Sequence, residues 1–218
     1  MDAGRIIFIA YFVAVLIVSA IIHEVAHAWM ALRFGDTTAR DAGRITLNPV
    51  PHIDPVFTIL IPGMMALVSI LSGGGLFILG GAKPVPVNPL RYSKFRAGTF
   101  LVSGAGVFAN FLIALVVGLS IRFFVQDTSS LMFFILFPFV FANIILAFFN
   151  LLPIPPLDGS KVLSAILRLS YAQQAKIERY AMIFFFLLIF LVFTGKLSFL
   201  FRGITFVFTL ITGVSFSA

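Results

Sequence analysis

The chain has no cysteine, a single tryptophan, and only 8 aspartates and glutamates in 218 residues. Without cysteine there is no disulfide, no thiolate-bound metal and no catalytic thiol. Charged residues reach 11%, where a soluble domain carries about a quarter. That scarcity excludes a soluble globule, and with it a disordered or coiled-coil chain. The basic residues form no run interleaved with aromatics, so nucleic acid is not an expected partner. What fills the chain is apolar. Hydrophobic residues make up 61%, phenylalanine alone occurs 28 times, and the mean hydropathy is +1.12. The formal charge of +7 therefore reads first as a membrane-topology signal.

The first apolar run, Ile6 to Leu32, is about 40 Å long as a helix, enough to cross a hydrocarbon layer of about 30 Å. Its length and the lack of an A-x-A site argue against a cleaved leader. Polar sequence from Arg33 to Asp54, punctuated by Gly35, Gly43, Pro49 and Pro51, reads as a loop, in which residues 44–48 suit a short strand. Val56 to Leu71 is apolar with Pro62 and Gly63 near its middle, and Gly73-Gly74-Gly75 follows. Lys83 to Pro89 is too proline-rich for a helix and suits an extended edge segment. Phe100–Ile121 and Leu131–Leu152 are two further spans. Ala181–Thr194 is short, and reaches spanning length only if Gln173–Tyr180 forms its first two turns. A last apolar element surrounds Gly203–Gly213. These runs leave room for one membrane-embedded domain over residues 1–218, with a core at about 6–167 and C-terminal helices at about 173–216.

Charge counting bears on the stretch 56–81. If Val56–Leu71 crosses the membrane, nine Lys and Arg fall on one side and six on the other. If residues 56–81 dip in and return, eleven share one side against Arg5, Arg122, Lys196 and Arg202. The positive-inside rule favours this re-entrant arrangement. It places the N-terminus outside and both large polar loops inside.

Ionisable groups inside a bilayer are costly and normally functional. Only Glu24 and Asp158, of the 8 acids, lie within a span or just past the end of one. Glu24 belongs to His23-Glu24-Val25-Ala26-His27, an H-E-x-x-H pattern. On a helix the two histidines share a face, so both imidazoles can reach one zinc ion at about 2.0–2.1 Å. Glu24 stays close enough to hold the water that such an ion binds. The alternative is a polar cluster that ties helices together. Catalytic zinc requires a third protein ligand and an open position. His52, in a proline-rich loop, reads as a satisfied loop histidine. Glu178, between Lys176 and Arg179, reads as a solvated ion pair. Asp158 would serve as an N-cap for a helix near 160–169. Yet Pro153, Pro155 and Pro156 stop the preceding span and hold Asp158 near its end, which makes it the favoured third ligand.

The pair of motifs, His23–His27 and Asn150–Gly159 (NLLPIPPLDG), resembles the site-2 protease family of intramembrane zinc metalloproteases. Ser103–Asn110 is similar to the family's G-x-x-x-N stretch, with Val107 where the family usually carries proline. Residues 43–49 (GRITLNP) and 80–89 (GGAKPVPVNP) look like the compact branch, which lacks PDZ or CBS domains. The resemblance covers roughly Ile6 to Leu167. It implies an all-α polytopic membrane protein with a three-helix catalytic core, a re-entrant hairpin or short β segment, and additional C-terminal transmembrane helices. It further implies one zinc ion per chain held by His23, His27 and Asp158, with Glu24 as catalytic base, nearer the cytoplasmic face of a prokaryotic cell membrane. A β-like segment at Ile78–Val87 would pair with an unwound substrate. Asn110 and Asn150 would contact substrate or the oxyanion, with helix–helix hydrogen bonding as their alternative. The expected partners are the lipid bilayer and a transmembrane protein or peptide, cut within or next to its span. Such cutting would serve regulated intramembrane proteolysis or clearance of signal-peptide remnants. The competing readings are a metallopeptidase that uses Glu178, and a membrane metal-handling transporter or catalytically inactive scaffold.

Overall fold

A computed structural model describes residues 3–60, 63–64, 67 and 82–215. Among the described residues, three helices are long and apolar enough to cross a membrane. They are α1 (Ala3–Arg33), α3 (Phe95–Phe124) and α4 (Leu131–Asn150). Between the first two lie a single turn, α2 (Thr38–Asp41), and an extended strap, residues 82–88. After α4 come α5 (Asp158–Ile166), α6 (Tyr171–Glu178), α7 (Ala181–Phe193) and α8 (Ser198–Thr212).

Local chemistry sets several boundaries. Ser130 caps α4 by accepting from the Phe133 N–H, and the prolines after Leu152 prevent its continuation. Ser170 and Gln173 form a reciprocal capping box at the start of α6. The polar 171–178 segment is thus a helix in its own right rather than the first turns of α7. Gly213 ends α8 in the left-handed region at φ +77°, where only glycine is unstrained.

Between lipid-facing helices there is no hydrophobic drive, so association rests on close backbone approach at small residues. Ala28, Ala31, Ala114, Ala142 and Ala147 are completely buried. Large apolar side chains such as Phe123, Phe124 and Phe206 stay exposed on what would be the lipid face. α3 is central and packs against α1, α4, α5 and α8.

The start of α1 lies beside the start of α4, where Tyr11 Oη donates to the Ile135 carbonyl at 2.9 Å. α8 starts beside the end of α4, with the Phe201 ring 6.3 Å from Phe149. It finishes beside the end of α3, where Arg122 donates to the Leu210 carbonyl at 2.8 Å. Lys196 and Arg202 therefore sit at the end that holds Arg33, Phe95 and Asn150, not opposite it as the charge count assumed. Of the 15 Lys and Arg, only Arg5 and Arg122 lie at the other end. α7 begins next to α6 and is followed within a few residues by α8, whose start lies at this same end. At 13 and 15 residues, α7 and α8 fall short of the roughly 20 that a spanning helix needs. The expected additional C-terminal crossings are thus not seen as helices of spanning length.

Most of the expected re-entrant stretch 56–81, and residues 78–81 of the expected β-like segment, lie outside the described residues. Among the described residues there is no strand, so the short strand at 44–48 does not form. Residues 82–88 are extended but join no ladder among the described residues. Pro84 and Pro86 lack donors, and the Lys83, Val85 and Asn88 amides bond to the His52 carbonyl, Glu24 and Asp36 instead.

Candidate active site

His23 and His27 lie one turn apart on the buried face of α1, their ring centroids 4.5 Å apart and their planes nearly perpendicular. α3 crosses directly behind them. It can do so because residue 106 is glycine: a Cβ there would stand 2.5 to 2.6 Å from atoms of the His23 ring. Asp158 arrives from the far side. Gly159 lets the first turn of α5 sit against the end of α4, since a Cβ at 159 would lie 2.2 Å from the Leu151 carbonyl oxygen. Asp158 Oδ2 then stands 3.0 Å from His23 Nε2 and 3.1 Å from His27 Nε2, and the two Nε2 atoms are 2.9 Å apart.

A chain of hydrogen bonds through three helices determines what those nitrogens present. Asn143 Nδ2 lies 2.8 Å from the Phe139 carbonyl, which can only accept, so this atom is the amide nitrogen. Asn143 Oδ1 therefore accepts from Asn110 Nδ2 at 2.7 Å. Asn110 Oδ1 must in turn accept, and His23 Nδ1, 2.6 Å away, must donate. His27 Nδ1 donates to the Val102 carbonyl at 2.6 Å. In its neutral form each ring thus carries its proton on Nδ1 and turns a bare Nε2 lone pair toward Asp158. Ser19 closes the chain by accepting from Asn143 Nδ2 at 2.8 Å, and Ser19, Asn110 and Asn143 are all at most 1% exposed.

Three acceptors that converge at about 3 Å in a buried place repel one another unless a metal ion or a proton lies among them. Ligand atoms at about 2.0–2.1 Å from one tetrahedral zinc ion stand roughly 3.3 Å apart, close to the observed spacing. The residues present thus fit a divalent metal, and they are the cluster of this kind among the described residues.

Glu24 is partly buried, and its Oε2 accepts the Val85 N–H at 2.7 Å. A cavity of about 610 Å³ opens on His23, His27 and Asp158, lined also by Glu24, Val85, Asn150, Tyr171 and Glu178. Asn150 lines this cavity, while its Nδ2 donates to the Leu146 carbonyl one turn back at 3.0 Å. Asn110 does not face the cavity; both ends of its amide are used behind His23. Glu178 lines the wall without joining the cluster. His52 is elsewhere, buried at 1% exposure with Nε2 on the Thr46 carbonyl. Asp158 does not cap α5; Leu157 holds that place. Sequence reasoning missed Gly106, Ser19, Asn143 and Asp36. Asn143 was readable in principle as an amide in the middle of an apolar run. Asp36 is 1% exposed and accepts from Thr38 and Asn88, which draws the strap to the end of α1. Beside it, burial together with the Asp36 charge pushes the Tyr92 phenol up.

Membrane-length helices around two histidines and an aspartate with converging lone pairs describe a membrane protein able to bind a divalent metal. Comparison with known proteins agrees. Residues 124–192 match Peptidase family M50. A Bacillus subtilis (strain 168) protein named "Putative zinc metalloprotease YwhC" is 37% identical over 188 residues, 82% of this chain and 79% of that protein. A Mycolicibacterium smegmatis protein named "Putative zinc metalloprotease Rip2" is 33% identical over 66% of this chain and 52% of its own length. Its Mycobacterium tuberculosis (strain H37Rv) counterpart is 30% identical over 70% and 55%. No solved structure shows a significant match. The chain belongs to peptidase family M50, the site-2 protease family.

Proposed function

We propose that the chain is an intramembrane zinc endopeptidase that hydrolyses peptide bonds within or next to transmembrane segments of membrane proteins. The observation that carries this reading is the convergence of three bare acceptors, His23 Nε2, His27 Nε2 and Asp158 Oδ2, beside a fourth ionisable side chain, Glu24. His23, His27 and Asp158 would hold one zinc ion per chain. Zinc, when bound, polarises the scissile carbonyl and acidifies water. Glu24 takes a proton from the attacking water and delivers it to the leaving amine. Asn110 acts through His23, by holding its proton on Nδ1. Asn150, on the cavity wall, is the asparagine we assign to the substrate backbone. The whole of residues 1–218 acts as one membrane-embedded domain.

Thirteen of the chain's cations lie at the end that holds the site, a distribution that supports placing this end on the cytoplasmic side. Trp29 stacks under Arg33 at 4.3 Å, as an interfacial aromatic would, which supports a site about two turns below the membrane surface. The relatives are bacterial, which supports a prokaryotic cell membrane. Both regulated proteolysis and clearance of signal-peptide remnants suit such a site.

The test is Glu24→Gln, assayed for zinc and for cleavage of a tagged single-span membrane protein. Retained zinc with no cleavage is expected. Cleavage at the wild-type rate would remove Glu24 as the base, and unchanged physiology without any cleavage by the wild type would favour a transporter or scaffold. Loss of zinc in Glu178→Gln but not in Asp158→Asn would move the third ligand to Glu178.

A further inference from the structure

The strap that borders the cavity contributes one backbone donor to the site, and that donor is spent on Glu24. In Lys83-Pro84-Val85-Pro86 the prolines carry no N–H, so Val85 is the sole amide donor in the 84–86 triplet. Its nitrogen donates to Glu24 Oε2 at 2.7 Å. The strap cannot easily shift away. Lys83 N donates to the His52 carbonyl at 2.7 Å. Arg44, itself buried, donates to the Lys83 and Pro84 carbonyls at 2.7 and 3.3 Å. The Asn88 N–H donates to buried Asp36 at 2.6 Å. The Val85 side chain packs with fully buried Ala28 of α1 and with Ala39 of α2.

We infer that the Val85 amide is a positioning group for Glu24: it pins Oε2, aims Oε1 at the cavity, and fixes the carboxylate rotamer that α1 alone leaves free. This rests on the reading of Glu24 as the base. The physical grounds are direct. A glutamate side chain has three rotatable bonds and loses rotamer freedom when it is held. A rigid donor held at four points supplies that ordering before substrate arrives, and hydrogen bonds to charged acceptors are among the stronger ones. The strap is thereby more than a wall for substrate, because its register along α1 sets where the proton acceptor stands.

The experiment compares Val85→Pro, which deletes the N–H, with Val85→Ala, which keeps it while losing the side chain. Both are made in the full-length chain, purified in detergent and loaded with zinc. They are assayed on a tagged single-span membrane protein that wild type cuts and Glu24→Gln does not. Loss of one hydrogen bond to a charged group predicts a kcat about 10- to 100-fold lower for Val85→Pro. KM should stay within about 3-fold, with zinc stoichiometry and chelator resistance unchanged, and Val85→Ala, which loosens the strap but keeps the donor, should retain a kcat at least several-fold above that of Val85→Pro. Equal kcat in the two variants overturns the inference. A raised KM with unchanged kcat also overturns it, and assigns the strap to substrate binding alone. Lost zinc affinity overturns it as well, by showing that the strap supports the metal ligands instead. Should Val85→Pro fail to fold, the α-hydroxy analogue of valine at position 85 removes the same N–H with the side chain retained, and the same outcomes apply. Should Glu24→Gln itself cleave, the base assignment fails first, and the strap comparison is not the cause.

Discussion

At the scale of single residues, the site depends on where two protons sit. Zinc takes the unprotonated nitrogen of a neutral imidazole, and the partner that holds the other nitrogen decides which one that is. Asn110 sets the His23 tautomer because its own orientation is dictated, through Asn143, by the Phe139 carbonyl. Replacing Asn110 with leucine removes this partner and leaves the Asn143 amide short of one bond. Zinc affinity should fall by about 10- to 100-fold, read by competition with a chelator of known affinity. Gly106→Ala acts on the same ring by volume. The new methyl would stand where His23 now does, and zinc content and cleavage should both be lost while the chain still inserts into membranes.

Among elements, α3 is the one that contacts both histidines and the helix that carries Asp158. It lends Gly106 and Asn110 to His23, the Val102 carbonyl to His27, and Arg96 to the Ala165 carbonyl at the end of α5. Its outer half holds α8 through another close approach. A Cβ at Gly118 would lie 2.5 Å from Ile211 Cγ2, so Gly118→Ala should push α8 outward and destabilise the protein by about 1–3 kcal/mol. Thermal melts in detergent should show a lower Tm with zinc stoichiometry unchanged. Adding Ile211→Ala removes the clashing methyl and should restore part of the loss; no restoration would mean that α8 does not dock where Gly118 allows. The strap is the contrary case. Its sequence suits an extended edge, and it is extended, but its donors are already engaged by Glu24, Asp36 and the His52 carbonyl, so as a sheet edge it is largely spent.

For the whole molecule, orientation is the open quantity, and the absence of cysteine makes it directly measurable, because any introduced thiol is unique. With the site end facing the cytoplasm, a cysteine at Ser129 should react with an impermeant maleimide on intact cells. A cysteine at Thr46 or Ser198 should react only after permeabilisation. Labelling of Ser198→Cys from outside would contradict the placement of α8 and add a crossing at α7. Chelation should also lower the Tm of the wild type and leave His23→Ala unchanged, since a ligand that binds only the folded state stabilises it by mass action.

Much was legible from residues in order. The three long apolar runs appear as α1, α3 and α4, because backbone groups in lipid must pair within the segment and twenty apolar residues have few other choices. His23 and His27 on one face follow from helical spacing alone. The prolines after Leu152 announced that a span ends where Asp158 follows. Other features depend on distant segments coming together, and no local rule encodes them. Asp158 meets the histidines across 131 and 135 positions, because Gly159 can lie against the end of α4. Asn110 faces His23 and not the cavity, because α3 crosses α1 at Gly106. Lys196 and Arg202 join the other cations because α8 packs from the end of α4 toward the end of α3. Short-range periodicity and chain stiffness belong to the sequence; which lone pairs end up facing one another is settled by helix crossings, where the size of one side chain decides how close two backbones come.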